Sequence, residues 1–320
     1  MFGALKRLLH PMSQNILFLF AVLSGVCFGS MSFAYQMGRK WKVPAPHIAF
    51  VTLIIGSFFF LGYLYYQHWA KDLPPSNPWM APWQVWVFTI IGGIGQVVTI
   101  LLMDPAQKRG PSAPVFCAIN LIFLPAAIYA VLVLNERISP LQCLGLVAAI
   151  GCILVAGKSH SACAREVQDP RSRLDRWLYL LFLVGLTVSS SLSTIVIKQL
   201  QSMPYRSATM FTFYKGLFLF ITYGCTALGI GLTLARMGWA HFQTLRALLL
   251  GSFAAVGSIS GFLTVCLISA LPGGIGFALA NVVCFVTIAL ITAFFFKEKR
   301  TLVWYLTILL AIISVILFAV

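Results

Sequence analysis

Thr52-Leu53-Ile54-Ile55-Gly56 returns 160 positions later as Thr212-Phe213-Tyr214-Lys215-Gly216. Upstream, Gly25 and Ser30 return at the same offset as Gly185 and Ser190. Downstream the offset drifts. Thr99 matches Thr264, Asn120 matches Asn281, Glu136 matches Glu298, and Ala149-Ile150 matches Ala311-Ile312. Agreement across five successive apolar stretches marks the second half as a copy of the first. Each half holds an odd number of apolar spans, so the copy must enter a bilayer from the opposite side. Inverted repeats of this kind predict a carrier architecture, with a polar site near the midplane between the halves.

Composition agrees. The chain is 60% hydrophobic and 9% charged, against roughly 25% charged in a soluble domain. Runs of about 20 apolar residues, each enough to cross a hydrocarbon core, recur at 15–37, 47–69, 83–103, 113–134, 141–157, 177–198, 207–235, 246–270, 273–296 and 302–320. The expected fold is therefore all-α and polytopic, with ten transmembrane helices in two inverted repeats of five. Residues 1–157 form the first repeat, 158–176 a connecting loop and 177–320 the second. The fifth and tenth spans are expected to be the shortest. All eight tryptophans, Trp41, Trp69, Trp79, Trp83, Trp86, Trp177, Trp239 and Trp304, fall at or near span ends, where indole favours the headgroup layer.

Several functions are disfavoured on the same page. The net charge of +15 resides in short loops between spans, so nucleic acid is not an expected partner. Eight cysteines show no CxxC spacing, and the five histidines, His10, His47, His68, His160 and His241, form no metal pattern. No phosphate loop or Ser-His-Asp arrangement occurs. No cofactor, metal or enzymatic activity is expected. Lys6 and Arg7 precede the first apolar run as they would in a secretory signal. Nine further spans make it a first membrane helix instead. The mixed-charge stretch with Glu166, Asp169, Pro170 and Asp175 reads as a solvated linker.

Loop charge sets an orientation. Six basic residues lie on the side of the N-terminus and fifteen on the other, with Lys215 left inside a span. Cytoplasmic loops are the basic ones, so both termini are expected outside the cytoplasm. A cell (inner) membrane is the expected location, with the lipid bilayer as the constant partner.

Lys215 is the sharpest clue to chemistry. It lies roughly 12 Å along the seventh span at 1.5 Å per residue, where its repeat mate is Ile55. A charge at that depth is expensive unless it faces water or a partner. It either attracts an anionic or carboxylate-bearing solute, or snorkels and bonds helix-end carbonyls. Tyr214 lies beside it. The seven carboxylates all fall in loops or at span ends, which argues against exchange of cationic drugs for protons. Lys215 is thus expected to be the one full charge within the core.

Neutral polar residues complete the candidate set. Gly92, Gln96 and Thr99 form one stripe of the third span, and Gly257, Gly261 and Thr264 form one on the eighth. Gly25, Gly29 and Ser32 in the first span, and Gly185, Ser189 and Ser193 in the sixth, follow related patterns. Small residues so spaced let helices approach closely, and the same faces suit a cavity lining that includes Ser190. Asn120 and Asn281 either donate to a solute or satisfy a neighbouring helix or a broken backbone turn, since a buried amide must bond something. Gly273-Gly274-Ile275-Gly276 is expected to open the ninth helix irregularly. Glu136-Arg137 and Glu298-Lys299 read as helix-boundary markers.

Two five-helix halves with Glu136-Arg137 closing the fourth helix resemble the drug/metabolite transporter superfamily, in particular its EamA-like branch. The resemblance covers nearly the whole chain. Phe28-Gly29-Ser30-Met31 followed by Arg39-Lys40 also resembles the bacterial glucose/ribose and rhamnose porters over a short stretch. The superfamily resemblance implies alternating access around a cavity formed by helices one, three, four, six, eight and nine. It often carries a proline mid-way along the fourth helix; Pro125 lies closer to Glu136 than that pattern has it.

The resulting expectation is a secondary carrier of a small polar metabolite, preferably anionic or zwitterionic. Its site is expected at Lys215, Tyr214, Asn120, Asn281, Gln96, Thr99, Thr264 and Ser190. A neutral sugar porter, a drug efflux carrier and a non-transporting scaffold are the alternatives. Proton or other ion coupling through Lys215 is left open.

Overall fold

The computed structural model describes residues 14–69, 82–109, 115, 118–163, 173–203, 208–237, 244–269, 271, 274–295 and 302–319. Hydrocarbon offers backbone groups no hydrogen bonds, so a chain this apolar must pair them within each segment, and helices follow. Ten are seen among the described residues: α1 Gln14–Lys40, α2 Ala45–Trp69, α3 Trp83–Arg109, α4 Phe123–Leu132, α5 Pro140–Cys163, α6 Arg173–Ser202, α7 Ala208–Met237, α8 Thr244–Ile268, α9 Ile275–Phe295 and α10 Leu302–Ala319. The apolar segments of α1, α2, α3, α6, α7 and α8 are long enough to cross a membrane; those of α4, α5, α9 and α10 are shorter. Three long and two short helices thus occur twice in the same order.

Packing follows the same exchange. Replacing each helix by the one five places away turns α1 against α8 into α6 against α3, and α1 against α9 into α6 against α4. The pairs α2 with α7 and α5 with α10 map onto themselves. Most of these contacts join one half to the other, so the halves interleave. Large apolar residues such as Leu19, Phe58, Val147, Leu228 and Val256 remain exposed on the outside, the composition of a lipid-facing belt.

Close approach at the crossings rests on glycine. A Cβ on Gly257 of α8 would lie 2.7 Å from the Cys27 carbonyl of α1, and one on Gly95 of α3 would lie 2.6 Å from the Ser189 carbonyl of α6. The stripe expected at Gly92 therefore divides its work. Gly92 and Gly93 accommodate Phe218 and Cys225 of α7, while Gly95 faces α6. Helix α3 lies between two partners and needs small residues on both sides.

Two expectations of length are corrected. Among the described residues the shortest helix is α4, where Pro125 has no N–H to give the Leu121 carbonyl. A helical turn at 118–120 passes through a turn at 121–122, with Leu124 N–H bonding Leu121 O at 2.9 Å, before α4 proper starts at Phe123. Helix α5 runs on to Cys163 and α6 starts at Arg173, so helix replaces both ends of the expected linker. Glu166, Asp169 and Pro170 lie outside the described residues, as do Glu298 and Lys299.

The irregular opening of the ninth helix is present. Gly274 has φ +71°, and a Cβ there would meet the Ala127 backbone at 3.2 Å. Gly274→Ala should lower thermal stability in detergent, with about 1–3 kcal/mol of strain. Gly224→Ala, where nothing lies within 4 Å of the added atom, should raise it slightly, because alanine favours helix.

Candidate functional site

The candidate residues are drawn into two groups. The first lies on the α3–α6 seam, where facing hydroxyl and amide groups come from opposite halves. Gln96 Nε2 donates to Ser193 Oγ at 2.9 Å, and the Thr99 and Ser189 hydroxyls lie 2.8 Å apart. The Thr99 hydroxyl also donates to Gly95 O at 2.8 Å. Ser190 Oγ donates to Thr187 O of its own helix at 3.2 Å. Thr187 Oγ1 in turn reaches Ala118 O, 3.0 Å away in the segment leading to α4. Asn120 sits half-buried at the last residue before the α4 break.

The second group lies where α7 meets the end of α8. Lys215 Nζ donates to Cys266 O, a carbonyl in the last turn of α8. Ser269 Oγ shares that acceptor at 2.8 Å. The C-terminal carbonyls of a helix carry partial negative charge, so an ammonium group is well placed there. Tyr214 is buried beside it. Thr264 Oγ1 bonds its own helix, to Ser260 O at 2.9 Å and Gly261 O at 2.8 Å. Deeper in the same interface the Tyr223 hydroxyl lies 2.5 Å from Ser258 Oγ, with the rings of Phe60 and Phe262 against it. Asn281 belongs to neither group by its bonds: its Nδ2 donates to Phe277 O of α9 at 2.8 Å.

Lys198 was missed as a core charge. Helix α6 continues to Ser202, which places Lys198 more than a turn inside it, and its side chain is only 2% exposed. The expectation that Lys215 is the one full charge in the core is therefore wrong. Lys198 Nζ donates to Glu136 Oε1 and Oε2, each at 2.9 Å, and to Leu271 O at 2.8 Å. Three protons meet three acceptors. Glu136 is thus more than a boundary marker: it pairs with a charge in the other half. Next to this pair the Tyr129 hydroxyl donates to Gln199 Oε1 at 2.5 Å. One signal was available in the sequence. Leu200 follows Lys198 in the run Ile195-Val196-Ile197-Lys198-Gln199-Leu200, so the apolar pattern extends past the charge.

A cavity of about 470 Å³ opens elsewhere, between α2 and α7. Phe50, Ile54, Phe58, Ala227 and Gly231 are among its walls, and no candidate residue lines it. Its walls are apolar apart from Ser57, whose hydroxyl already bonds Leu53 O at 2.7 Å, and they suit lipid better than a polar solute.

Residues 15–157, most of the first half, match the model of the EamA-like transporter family. This bears out the resemblance to the drug/metabolite transporter superfamily. No curated protein matches the chain. Among solved structures 26 chains match. One, titled only "Crystal structure of protein", aligns with a TM-score of 0.72 at 14% identity, covering 95% of this chain and 98% of that one. At that identity the likeness concerns the fold alone.

Proposed function

We propose that this integral membrane transporter of drug/metabolite type moves a small polar metabolite, with a preference for anionic or zwitterionic solutes, by alternating access. Residues 1–157 and 177–320 act as inverted repeats that rock about a site between them. The observation that carries the reading is polar bonding at two places within the apolar bundle. Gln96 and Thr99 meet Ser193 and Ser189 across the halves on the α3–α6 seam, and within the second half Lys215 of α7 meets the end of α8. Interhelical hydrogen bonds of this kind hold membrane helices yet are worth only about 0.6 kcal/mol each on average, weak enough to be exchanged for bonds to a solute.

Lys215 supplies the preference for a negative group, and Tyr214, Asn120, Asn281, Thr264 and Ser190 contribute neutral donors and acceptors. The chain works in a cell membrane with both termini on the non-cytoplasmic side, as the basic loops imply. A neutral sugar is the second reading. It is favoured because the α3–α6 seam is built from uncharged groups while Lys215 already bonds a carbonyl.

A thermal-shift screen separates the two. Detergent-purified protein and its Lys215→Ala variant are melted with anionic metabolites, neutral sugars and cationic drugs. A solute at 100 times its Kd should stabilise by about 2.7 kcal/mol. Stabilisation by an anion that disappears in Lys215→Ala supports the first reading. Equal stabilisation of both proteins by a sugar overturns it and assigns Lys215 to the structure.

A further inference from the structure

We infer that Glu136 and Lys198 form a latch that holds one end of the translocation path closed and must part for that end to open. The inference rests on the carrier reading above. Its first support is position. Glu136 follows α4 of the first half, whereas Lys198 and Leu271 belong to α6 and to the α8–α9 connection of the second. The C-terminal ends of α4, α6 and α8 and the start of α9 therefore meet at one ion pair. Any motion that separates the halves at this end has to break it.

The second support is asymmetry within the pair. Lys198 is 2% exposed and Glu136 27%, so the cation is fixed in the bundle while the carboxylate sits on the rim. Asn135, with φ +53°, makes the turn that delivers it, and Glu136 N–H bonds back to Ala130 O at 3.0 Å. Asparagine tolerates that left-handed conformation better than most residues. The carboxylate is thus carried on a short hinge at a helix end, where a small backbone rotation withdraws it.

The third support is what lies behind the pair. Cys266 is five residues before Leu271, in the last turn of α8, and is 5% exposed. Its carbonyl holds Lys215, so the latch lies on the end side of that candidate residue. Tyr129 of α4 and Gln199, the residue after Lys198, also bridge α4 and α6 and close the same seam. When the carboxylate leaves, Lys198 keeps a single backbone acceptor in a desolvated place. A buried charge that loses its partner is costly, and this opposes opening until water or a solute reaches the ammonium.

The test reads accessibility, so it does not depend on knowing the solute. Protein in proteoliposomes is exposed on one face at a time to a membrane-impermeant maleimide, and the labelled fraction of Cys266 is followed by peptide mass spectrometry. Native protein should label slowly from both faces. Glu136→Gln should label at least tenfold faster, and only from the face where α4 and α6 end. Lys198→Met, which removes the other partner, should accelerate labelling from that same face only, whereas a loosened fold would label from both. Unchanged labelling in folded, monodisperse Glu136→Gln overturns the latch. So does equal acceleration from both faces. A latch that holds while the solute screen finds no ligand would discredit the carrier reading's substrate class and leave the gate standing.

Discussion

Lys198→Ala is expected to destabilise the purified protein by about 3 kcal/mol, the lower end for breaking a buried ion pair by removing one partner. The mutation leaves Glu136 facing a desolvated corner and deprives Leu271 O of the donor now 2.8 Å away. Water reaches Glu136, which is 27% exposed, and tempers the loss. The double variant Glu136→Gln with Lys198→Met should recover much of it, because removing both charges of a buried pair is often close to neutral. Thermal or denaturant unfolding in detergent of the wild type, Glu136→Gln alone, Lys198→Met alone and the double closes the cycle. Additive single effects would show that the two groups do not interact.

Gly25→Val should be comparably damaging for a reason of pure shape. A Cβ at Gly25 would stand 2.5 Å from the Ala280 carbonyl and 2.6 Å from Val283 Cβ of α9. The carbonyl belongs to a helical backbone and cannot rotate away, so α1 and α9 must separate. Overpacking a tight core costs about 1–3 kcal/mol, and here it also opens one of the contacts that join the two halves, the counterpart of α6 against α4. Gly62→Val is the control, because nothing lies within 4 Å of its added Cβ. Equal melting temperatures for the two variants would mean that the α1–α9 seam is loosely packed.

How much of this was readable in advance differs by residue. Asn120, Asn281 and Lys215 could be picked out because polar groups in apolar runs are conspicuous one at a time. Their bonding could not be read. Asn281 turned back on Phe277 of its own helix, and Lys215 found the end of α8, 51 positions away. Gln96 and Thr99 were legible as one face of a helix, yet that Ser193 and Ser189 would meet them depends on how α3 and α6 cross. Glu136 looked like punctuation because its partner lies 62 positions further on. Lys198 looked like a loop residue because the end of α6 was placed one turn early.

The amino-acid sequence by itself determined the solvent, the helical class, the succession of spans and their duplication. Lipid imposes those rules residue by residue: each segment must be apolar, long enough and internally hydrogen-bonded, whatever its neighbours do. Only the tertiary structure decided which polar groups pair across the halves. That choice depends on the rotation and depth of each helix, set by where Gly95, Gly257 and Gly274 let backbones touch. Contacts of that kind are properties of two surfaces together, and no single stretch of the chain contains them.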